Sequence, residues 1–366
     1  MRYRRIPAIA LAIAASLLVA ACGSSNNTTT GTGGSSGGKS TLNGAGSTLA
    51  APIYQQWAST LSGQGVTLNY NPVGSGTGIA DLQSATVDFA GSDPALKPTD
   101  TAKMKGTALQ YPVAFGAITV SYNLSGVKSG IKLDGPTISK IFMGQITKWN
   151  DPAITALNSG MTLPSTAITV VHRSDSSGTT AGFTKFLAAT DPTWASQVGT
   201  DKEVKWPTGT GAAKNSGVAA AVKQTDGAIG YVEQAYALEN NFTYAAVKNS
   251  SGNFILPTLS NTSAAAEGIT VPPDLGISTI NSPSAQAYPI VSQTFLVAYK
   301  DPCKSGGAST SVAGGLKKFL TYAFGPGQQT LGSGSNQLPY APLPADLVSK
   351  DQAQLATMTC NGSAIQ

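Results

Sequence analysis

The chain of 366 residues is predicted to fold as an α/β protein of two lobes. Strand patterns of alternating apolar residues repeatedly lead into a glycine-rich turn, and each turn is followed by the four-residue spacing of a helix. Two long apolar runs, residues 111–122 and 290–299, have the pattern of strands and lie far apart in the chain. Because the length exceeds one ordinary core of ~150 residues, we expect two lobes joined by these two strands.

Each element is predicted from its own spacing. Ile53, Trp57 and Leu61 recur every four positions, as on one face of a helix, whereas Val66 and Leu68 alternate as in a strand. The predicted elements, in order, are a helix over 49–61, a strand over 66–70, a helix from 79, a strand over 87–90, the long strand at 111–122, helices near 137–142 and 154, a strand over 168–171, a helix around 183–187, a strand over 227–232, a loop region over 252–284, the long strand at 290–299, and helices around 316–320 and 347–358.

The first residues have the pattern of an export signal. Three arginines precede an apolar run over 6–21, which ends in small residues directly before Cys22. The run is shorter than the ~20 residues of a membrane span. Small residues before a cysteine are typical of bacterial lipoproteins, so we expect a signal peptide over 1–21 and a lipid anchor (palmitate) on Cys22 that holds the chain at the extracytoplasmic face of the cell membrane. An uncleaved anchor and a soluble secreted protein remain the alternatives.

The folded part is expected to start near residue 41. Before it, residues 22–40 are almost wholly Gly, Ser, Thr and Asn, a composition that predicts a flexible tether. The two long strands divide the remainder. Lobe 1 is predicted to be discontinuous, over 41–117 with 293–366, and lobe 2 to span 118–292.

Charge and cysteine content narrow the function classes. The formal net charge of +5 falls to +2 once the three leader arginines are removed, so the chain offers no field for nucleic acid. A single histidine excludes a multi-histidine metal centre, and we expect no metal or cofactor. After Cys22, only Cys303 and Cys360 remain, and an even pair in an exported protein predicts a disulfide.

Three short clusters of Gly, Ser and Thr, at 44–48, 74–78 and 176–180, each precede a helix pattern. The first turn of a helix has free backbone N–H groups and a positive dipole end, and glycine allows an anion to approach them closely. Arg173 lies just before the third cluster, and Asp93 follows a strand. Convergence of these groups would create a binding site for a small tetrahedral anion.

These residues resemble those of a known family, the phosphate-binding proteins of bacterial phosphate ABC importers. The resemblance runs from about residue 43 to about 299, with weaker likeness beyond. It implies a type II periplasmic-binding-protein-like fold with the ligand in the cleft between the lobes, a monomer without enzymatic activity, and delivery of inorganic phosphate to membrane permease subunits. The segments that carry it are 44–57, 87–93, 146–151, 172–179, 204–207 and 227–233.

The resemblance also implies the ligand set, position by position. Asp175 corresponds to a carboxylate that orients the arginine. Leu49 stands where the family often has an aromatic residue, but its backbone N–H is the binding group there. The implied phosphate-binding residues are Thr48, Leu49, Ser75, Asp93, Arg173, Ser177, Gly178 and Thr179.

Asp93 is the least expected residue in an anion site because like charges repel. Phosphate near neutral pH still carries a proton and can donate a hydrogen bond to a carboxylate, whereas sulfate cannot. Leaving a buried polar group unpaired in this way can reject a ligand by ~10⁴ to 10⁵. Asp93 is therefore expected to select phosphate.

Two other functions are alternatives for the same residues. A surface phosphatase would need a metal pair or a nucleophile with an acid, and neither is visible near the clusters. A phosphate sensor or adhesin on the same fold is a further alternative, since fold alone does not determine function. His172 precedes Arg173 on a strand and is expected to be structural or exposed, while Trp149 and Trp206 are expected to pack in the core.

Overall fold

The computed structural model describes residues 39–365. The predicted signal peptide, the lipidation site Cys22 and nearly all of the predicted tether lie outside the described residues. The first strand begins at Ser40, one residue before the predicted start of the fold. Among the described residues, no helix combines the length and apolar character needed to cross a membrane.

Fourteen strands are present in the described part of the chain. They are β1 (Ser40–Gly46), β2 (Val66–Asn71), β3 (Phe89–Ser92), β4 (Ala108–Asn123), β5 (Lys132–Leu133), β6 (Thr169–Arg173), β7 (Thr210–Ala212), β8 (Ala228–Glu233), β9 (Thr243–Tyr244), β10 (Ala246–Lys248), β11 (Phe254–Ile255), β12 (Val291–Tyr299), β13 (Thr359–Cys360) and β14 (Ser363–Ala364).

Thirteen α-helices surround these strands over residues 39–365. They are α1 (Ala51–Gly63), α2 (Ser75–Ser84), α3 (Pro98–Thr101), α4 (Gly135–Phe142), α5 (Pro152–Leu157), α6 (Gly178–Thr190), α7 (Pro192–Gln197), α8 (Lys214–Gln224), α9 (Gln234–Glu239), α10 (Leu259–Ser263), α11 (Pro302–Gly306), α12 (Thr310–Ala323) and α13 (Ala345–Leu355). Two 3-10 helices, Ala264–Ala266 and Pro326–Thr330, complete the helical elements.

Nine strands form one mixed sheet, which confirms the predicted α/β fold class. Its order is β2-β1-β3-β12-β4-β8-β6-β7, with β9 paired to β4. The two long strands predicted from the sequence are β4 and β12, and they pair antiparallel. β4 has 16 residues and pairs with β12 through its first part and with β8 through its last part. The described residues form one compact unit, so the division into two lobes stays a prediction.

Helix α1 illustrates why the predicted elements form. Pro52 lies in its first turn, where the missing N–H costs nothing, and Ile53, Trp57 and Leu61 are buried on one face. That face packs against an aromatic cluster in which Phe319 of α12 makes edge contacts with Trp57. The predicted apolar spacing and the observed core therefore agree.

The C-terminal part is fastened to the end of β12. Cys303 and Cys360 are joined by a disulfide across 57 residues of chain, with their Cα atoms 5.0 Å apart. Asp301, which caps α11, also accepts backbone hydrogen bonds from Asn361 and Gly362. The short β13–β14 pair is thus held beside α11 by a covalent bond and by hydrogen bonds.

Candidate anion site

The first cluster follows β1, and its backbone packs directly on β3. The Ser47 N–H donates to the carbonyl of Gly91 at 2.9 Å. Gly46 has φ +136°, and a Cβ there would lie 2.2 Å from the carbonyl oxygen of Gly91. Glycine at 46 is required both by its left-handed backbone and by this approach. Thr48, the predicted phosphate ligand at the end of this cluster, is 3% exposed.

The second cluster opens α2 and lies against the first. Gly74 has φ +98°, and its N–H donates to the carbonyl of Gly46 at 2.8 Å. One turn later, a Cβ on Gly78 would lie 2.4 Å from Gly46 Cα and from the carbonyl oxygen of Ala45. Ser75, the first residue of α2, is fully buried at this junction. The N-terminus of α2 is therefore in contact with the end of β1.

The third cluster opens α6 and meets the second. The Ser177 side chain caps the helix by accepting from the N–H of Thr180 at 3.1 Å. The Gly76 N–H donates to the carbonyl of Ser176 at 3.1 Å. A Cβ on Gly178 would lie 2.3 Å from Asp93 Oδ2. The structure therefore brings the three glycine-rich clusters and Asp93 to one place.

Asp93 follows β3 and is 1% exposed. Its Oδ1 accepts from the hydroxyl groups of Ser47 and Thr294, the latter at 3.1 Å. Its Oδ2 has a long contact of 3.5 Å with the hydroxyl of Ser75. Burial raises the pKa of Asp93 to about 6, and these hydrogen bonds, together with the charge of Arg173, limit the rise. A carboxylate can thus be maintained near neutral pH in a buried position.

Arg173 ends β6 and is held by Asp175, as expected for an orienting carboxylate. Nε donates to Asp175 Oδ1 at 2.6 Å and Nη2 donates to Oδ2 at 2.5 Å. The Arg173 side chain is 1% exposed. Burial alone would raise the pKa of Asp175, but its hydrogen bonds with Arg173, the arginine charge and the N–H of Lys214 hold it below the usual range. The guanidinium is therefore oriented from behind by a charged partner.

Leu49 and Thr48 are fixed through their backbone carbonyls. The Tyr236 hydroxyl donates to the carbonyl of Thr48 at 2.8 Å. The Tyr340 hydroxyl donates to the carbonyl of Leu49 at 2.8 Å and lies 2.9 Å from a carboxyl oxygen of Glu233. Burial raises the pKa of Glu233 to about 8. The turn between β1 and α1 is thus tied to strand β8 and to the C-terminal part.

Several residues of this region were missed by the sequence reasoning. Asn215 in the first turn of α8 is fully buried and donates to the hydroxyl of Thr48 at 2.9 Å and of Thr179 at 3.3 Å. Ser47 and Thr294 bind Asp93. No motif marks them: Ser47 lies inside the first cluster but has the pattern of an ordinary turn residue, and Thr294 is one of three consecutive polar residues, 292–294, in the strand run. Helix α8 itself was not predicted, because its small residues give no clear apolar spacing.

Trp149, His172 and Trp206 pack as expected. Trp149 is fully buried and donates to the carbonyl of Gly227. His172 is half-buried, stacks on Trp206 with ring centroids 4.7 Å apart, and contacts the carbonyl of Arg173 through Nδ1. Burial lowers the pKa of His172. Its hydrogen bond to the backbone and its stacking fit a structural residue.

A protein-family profile described as a PBP superfamily domain matches residues 27–326. The phosphate-binding protein PstS of Xylella fastidiosa (strain 9a5c) is 36% identical over 321 residues, which cover 86% of this chain and 85% of that protein. The protein of the same name from Pasteurella multocida is 38% identical over 321 residues, covering 87% and 90% of the two chains. Phosphate-binding protein PstS 3 of Mycobacterium tuberculosis (strain H37Rv) is 37% identical over 328 residues, covering 86% and 85%.

Solved structures share the fold. A high-affinity periplasmic phosphate-binding protein, PfluDING, bound with phosphate, has a TM-score of 0.66 at 24% identity and covers 88% of this chain and 96% of its own. The phosphate-binding protein of Stenotrophomonas maltophilia has a TM-score of 0.66 at 22% identity, with coverage of 88% and 96%. The PstS relatives are more than one third identical to this chain over most of its length and of theirs, which establishes common family membership. The chain therefore belongs to the PstS family of phosphate-binding proteins, within the PBP superfamily.

Proposed function

We propose that this protein is an extracytoplasmic receptor that binds inorganic phosphate and delivers it to the membrane permease of an ABC-type phosphate importer. The observation that carries the proposal is the meeting of three helix-start clusters at one buried Asp and one buried Arg. Family membership supports it, because the PstS relatives are named for phosphate binding. We further infer that the role is binding and delivery, without catalysis.

The proposed ligands supply a full set of donors for a tetrahedral oxyanion. The first N–H groups of α6, at Gly178 and Thr179, have no acceptor within the helix. Arg173 has five N–H donors, of which Asp175 takes two and Thr179 one, so two remain for phosphate oxygens. Thr48, Leu49, Ser75 and Ser177 add hydroxyl or backbone N–H groups. This arrangement matches the charge and shape of phosphate.

Asp93 gives the site its proposed selectivity. Oδ1 already accepts two hydroxyl groups, whereas Oδ2 has only the long contact with Ser75. Oδ2 is therefore the oxygen that would accept the hydrogen of HPO₄²⁻ or H₂PO₄⁻. Sulfate carries no hydrogen near neutral pH and would place its negative oxygen against this carboxylate.

The predicted domain division fits this function. Thr48, Ser75 and Asp93 belong to predicted lobe 1 (41–117 with 293–366), and Arg173 with its α6 neighbours to predicted lobe 2 (118–292). We propose that the lobes close over phosphate by a twist of β4 and β12, and that the closed form docks on the permease. Lipid attachment at Cys22 and the tether over 22–40 would keep the monomeric receptor near the membrane.

Calorimetric titration of the mature chain (residues 22–366) with phosphate and with sulfate tests the proposal. We expect phosphate to bind and sulfate to show no heat of binding at the same concentrations. Arg173→Ala should abolish phosphate binding while the circular dichroism spectrum stays unchanged. Lys185→Ala, which removes a cation outside the proposed ligand set, is the matched control and should bind normally. Equal affinity for the two anions would overturn the proposal.

A further inference from the structure

We propose that Asn215 is a positioning residue that sets the direction of two threonine hydroxyl groups, Thr48 and Thr179, in the phosphate site. The proposal rests on the proposed function, since it concerns how donors are presented to the anion. Asn215 Nδ2 lies 2.9 Å from Thr48 Oγ1 and 3.3 Å from Thr179 Oγ1. The asparagine is 0% exposed, so water does not compete for these bonds.

The orientation of the Asn215 amide follows from its third contact. The backbone N–H of Glu233 lies 3.1 Å from Asn215 Oδ1. A backbone N–H can only donate, so it requires the amide oxygen and excludes the NH₂ group at this position. The NH₂ group must then face the threonines. Its two hydrogens serve one threonine each.

The two hydroxyl groups are thereby made donors toward the ligand. Thr179 Oγ1 accepts from Asn215 and from Arg173 Nη1, the latter at 3.3 Å, and these two bonds occupy both lone pairs. Its own hydrogen is left to donate elsewhere. Thr48 Oγ1 accepts from Asn215 in the same way. The oxygens of an oxyanion that carry no hydrogen accept hydrogen bonds and donate none. The Asn215 amide therefore directs both threonine hydroxyl hydrogens toward the anion before it binds.

The position of Asn215 links the two predicted lobes. Thr48 lies in predicted lobe 1, whereas Thr179 and Asn215 lie in predicted lobe 2. The preceding residue, Lys214, adopts φ +66°, an uncommon conformation for a residue with a side chain, and its N–H donates to Asp175 at 3.0 Å. Two consecutive residues at the start of α8 therefore act on the site. Lys214 binds Asp175, which holds the arginine, and Asn215 binds the two threonines.

The first test compares Asn215→Asp with Asn215→Ala by calorimetric titration with phosphate. A carboxylate of the same shape can only accept, so it would draw both threonine hydrogens away from the anion and add a negative charge. We expect about 10-fold weaker phosphate binding for the alanine variant and at least a further 10-fold loss for the aspartate variant. Phosphate affinity unchanged in both variants would overturn the proposal.

A matched control is Asn249, another buried asparagine, which binds the carbonyls of Ala285 and Ala287 away from the site. Asn249→Ala should lower the melting temperature without changing phosphate affinity. If Asn215→Ala behaves in the same way, its role is merely structural and the proposal is wrong. If wild-type protein binds no phosphate, the proposed function itself is wrong, which is a separate outcome.

A double-mutant cycle shows whether Asn215 acts through the hydroxyl. Phosphate affinity is measured for Asn215→Ala, for Thr179→Val and for the pair. Because the asparagine is proposed to work through Thr179, the double variant should lose clearly less affinity than the product of the two single losses. Independent, multiplicative losses would overturn the proposal. Should Asn215→Asp fail to fold, this cycle decides the question.

Discussion

Asp93 and Asp351 are both buried carboxyl groups, but their surroundings are opposite. Asp93 is 1% exposed and accepts hydroxyl groups near a guanidinium. Asp351 on α13 is 0% exposed, and neither of its oxygens has a hydrogen-bond partner among residues 39–365. Burial raises the pKa of Asp93 to about 6 but that of Asp351 to about 9. Both carboxyl groups are buried, so the difference in pKa comes from the hydrogen-bond donors around Asp93. They stabilise its charged form, whereas Asp351 is neutral at pH 7.

The neighbour of Asp351 reinforces the contrast. The hydroxyl of Tyr111 is also buried without a partner in the described part of the chain, and the negative charge of an ionised Asp351 would lie close to it. Among the described residues, none donates a hydrogen bond to the Asp351 carboxyl group, and burial is the cause of its raised pKa. Burial of Asp351 and Tyr111 without partners destabilises the fold, whereas Asp93 is hydrogen-bonded and is proposed to accept the hydrogen of phosphate.

The largest effect is expected from neutralising Asp93. Asp93→Asn can donate to an anion through its amide, so the preference for phosphate over sulfate should fall from ~10⁴ by several orders of magnitude. Competition titration of the two anions at pH 7 measures it. Asp351→Asn removes a carboxyl of equal burial and should leave the preference unchanged; a fall in both variants would contradict the assignment.

The second prediction concerns the pH dependence of stability. Because the pKa of Asp351 is raised to about 9 in the fold, the native state holds one more proton than the unfolded chain between about pH 4 and pH 9. Its contribution to the free energy of unfolding therefore falls as pH rises, by about 1.4 kcal/mol per pH unit. Asp351→Asn should flatten this slope in melting temperatures measured from pH 5 to pH 9. An equal slope in both proteins would show that Asp351 is not protonated in the native state.

A smaller effect is expected from one donor to Asp93. Thr294→Val removes the 3.1 Å hydroxyl contact and should weaken phosphate binding about 10-fold, because the carboxylate becomes costlier to maintain. Thr279→Val is the control: that hydroxyl is equally buried but donates to the carbonyl of Val291. It should reduce stability and leave the dissociation constant for phosphate as in the wild type.

The smallest effect is expected where a carboxylate is exposed. Lys97 and Asp201 form an ion pair at 2.8 Å with side chains about half exposed, at 47% and 52%. Asp201→Asn should change the free energy of unfolding by less than about 1 kcal/mol in urea titrations, and less again in high salt. A change of several kcal/mol would contradict the view that an exposed carboxylate contributes little to stability.

Six of the nine strands of the main sheet and seven of the thirteen described helices were predicted from the pattern of their apolar residues, whereas β1, β7 and β9 were not. The runs that became β4 and β12 were recognised as long, mainly apolar stretches, and the structure shows that they pair. Helix α8 was not predicted, since the small residues around Val218 give no apolar stripe. A helix built on Ala and Gly packs through close contact, which leaves little mark in the sequence.

The site was predictable where its chemistry depends on local sequence. Arg173 and Asp175 lie two residues apart, and Ser177 begins the adjoining helix, so their proximity could be inferred directly. Asn215 and Thr294 reach the site only through the fold, at separations of 167 residues from Thr48 and 201 from Asp93. Contacts of this range depend on strand order, which a single sequence does not specify.

The bond between Cys303 and Cys360 has a consequence for the timing of folding. Closing a loop of 57 residues stabilises the native state by about 4 kcal/mol in the chain-entropy description. Cys360 follows every strand of the main sheet in the chain, so the bond can form only after the whole sheet has been synthesised. Production in a reducing cytosol would leave the two thiols unpaired and remove that contribution to the stability of the native state.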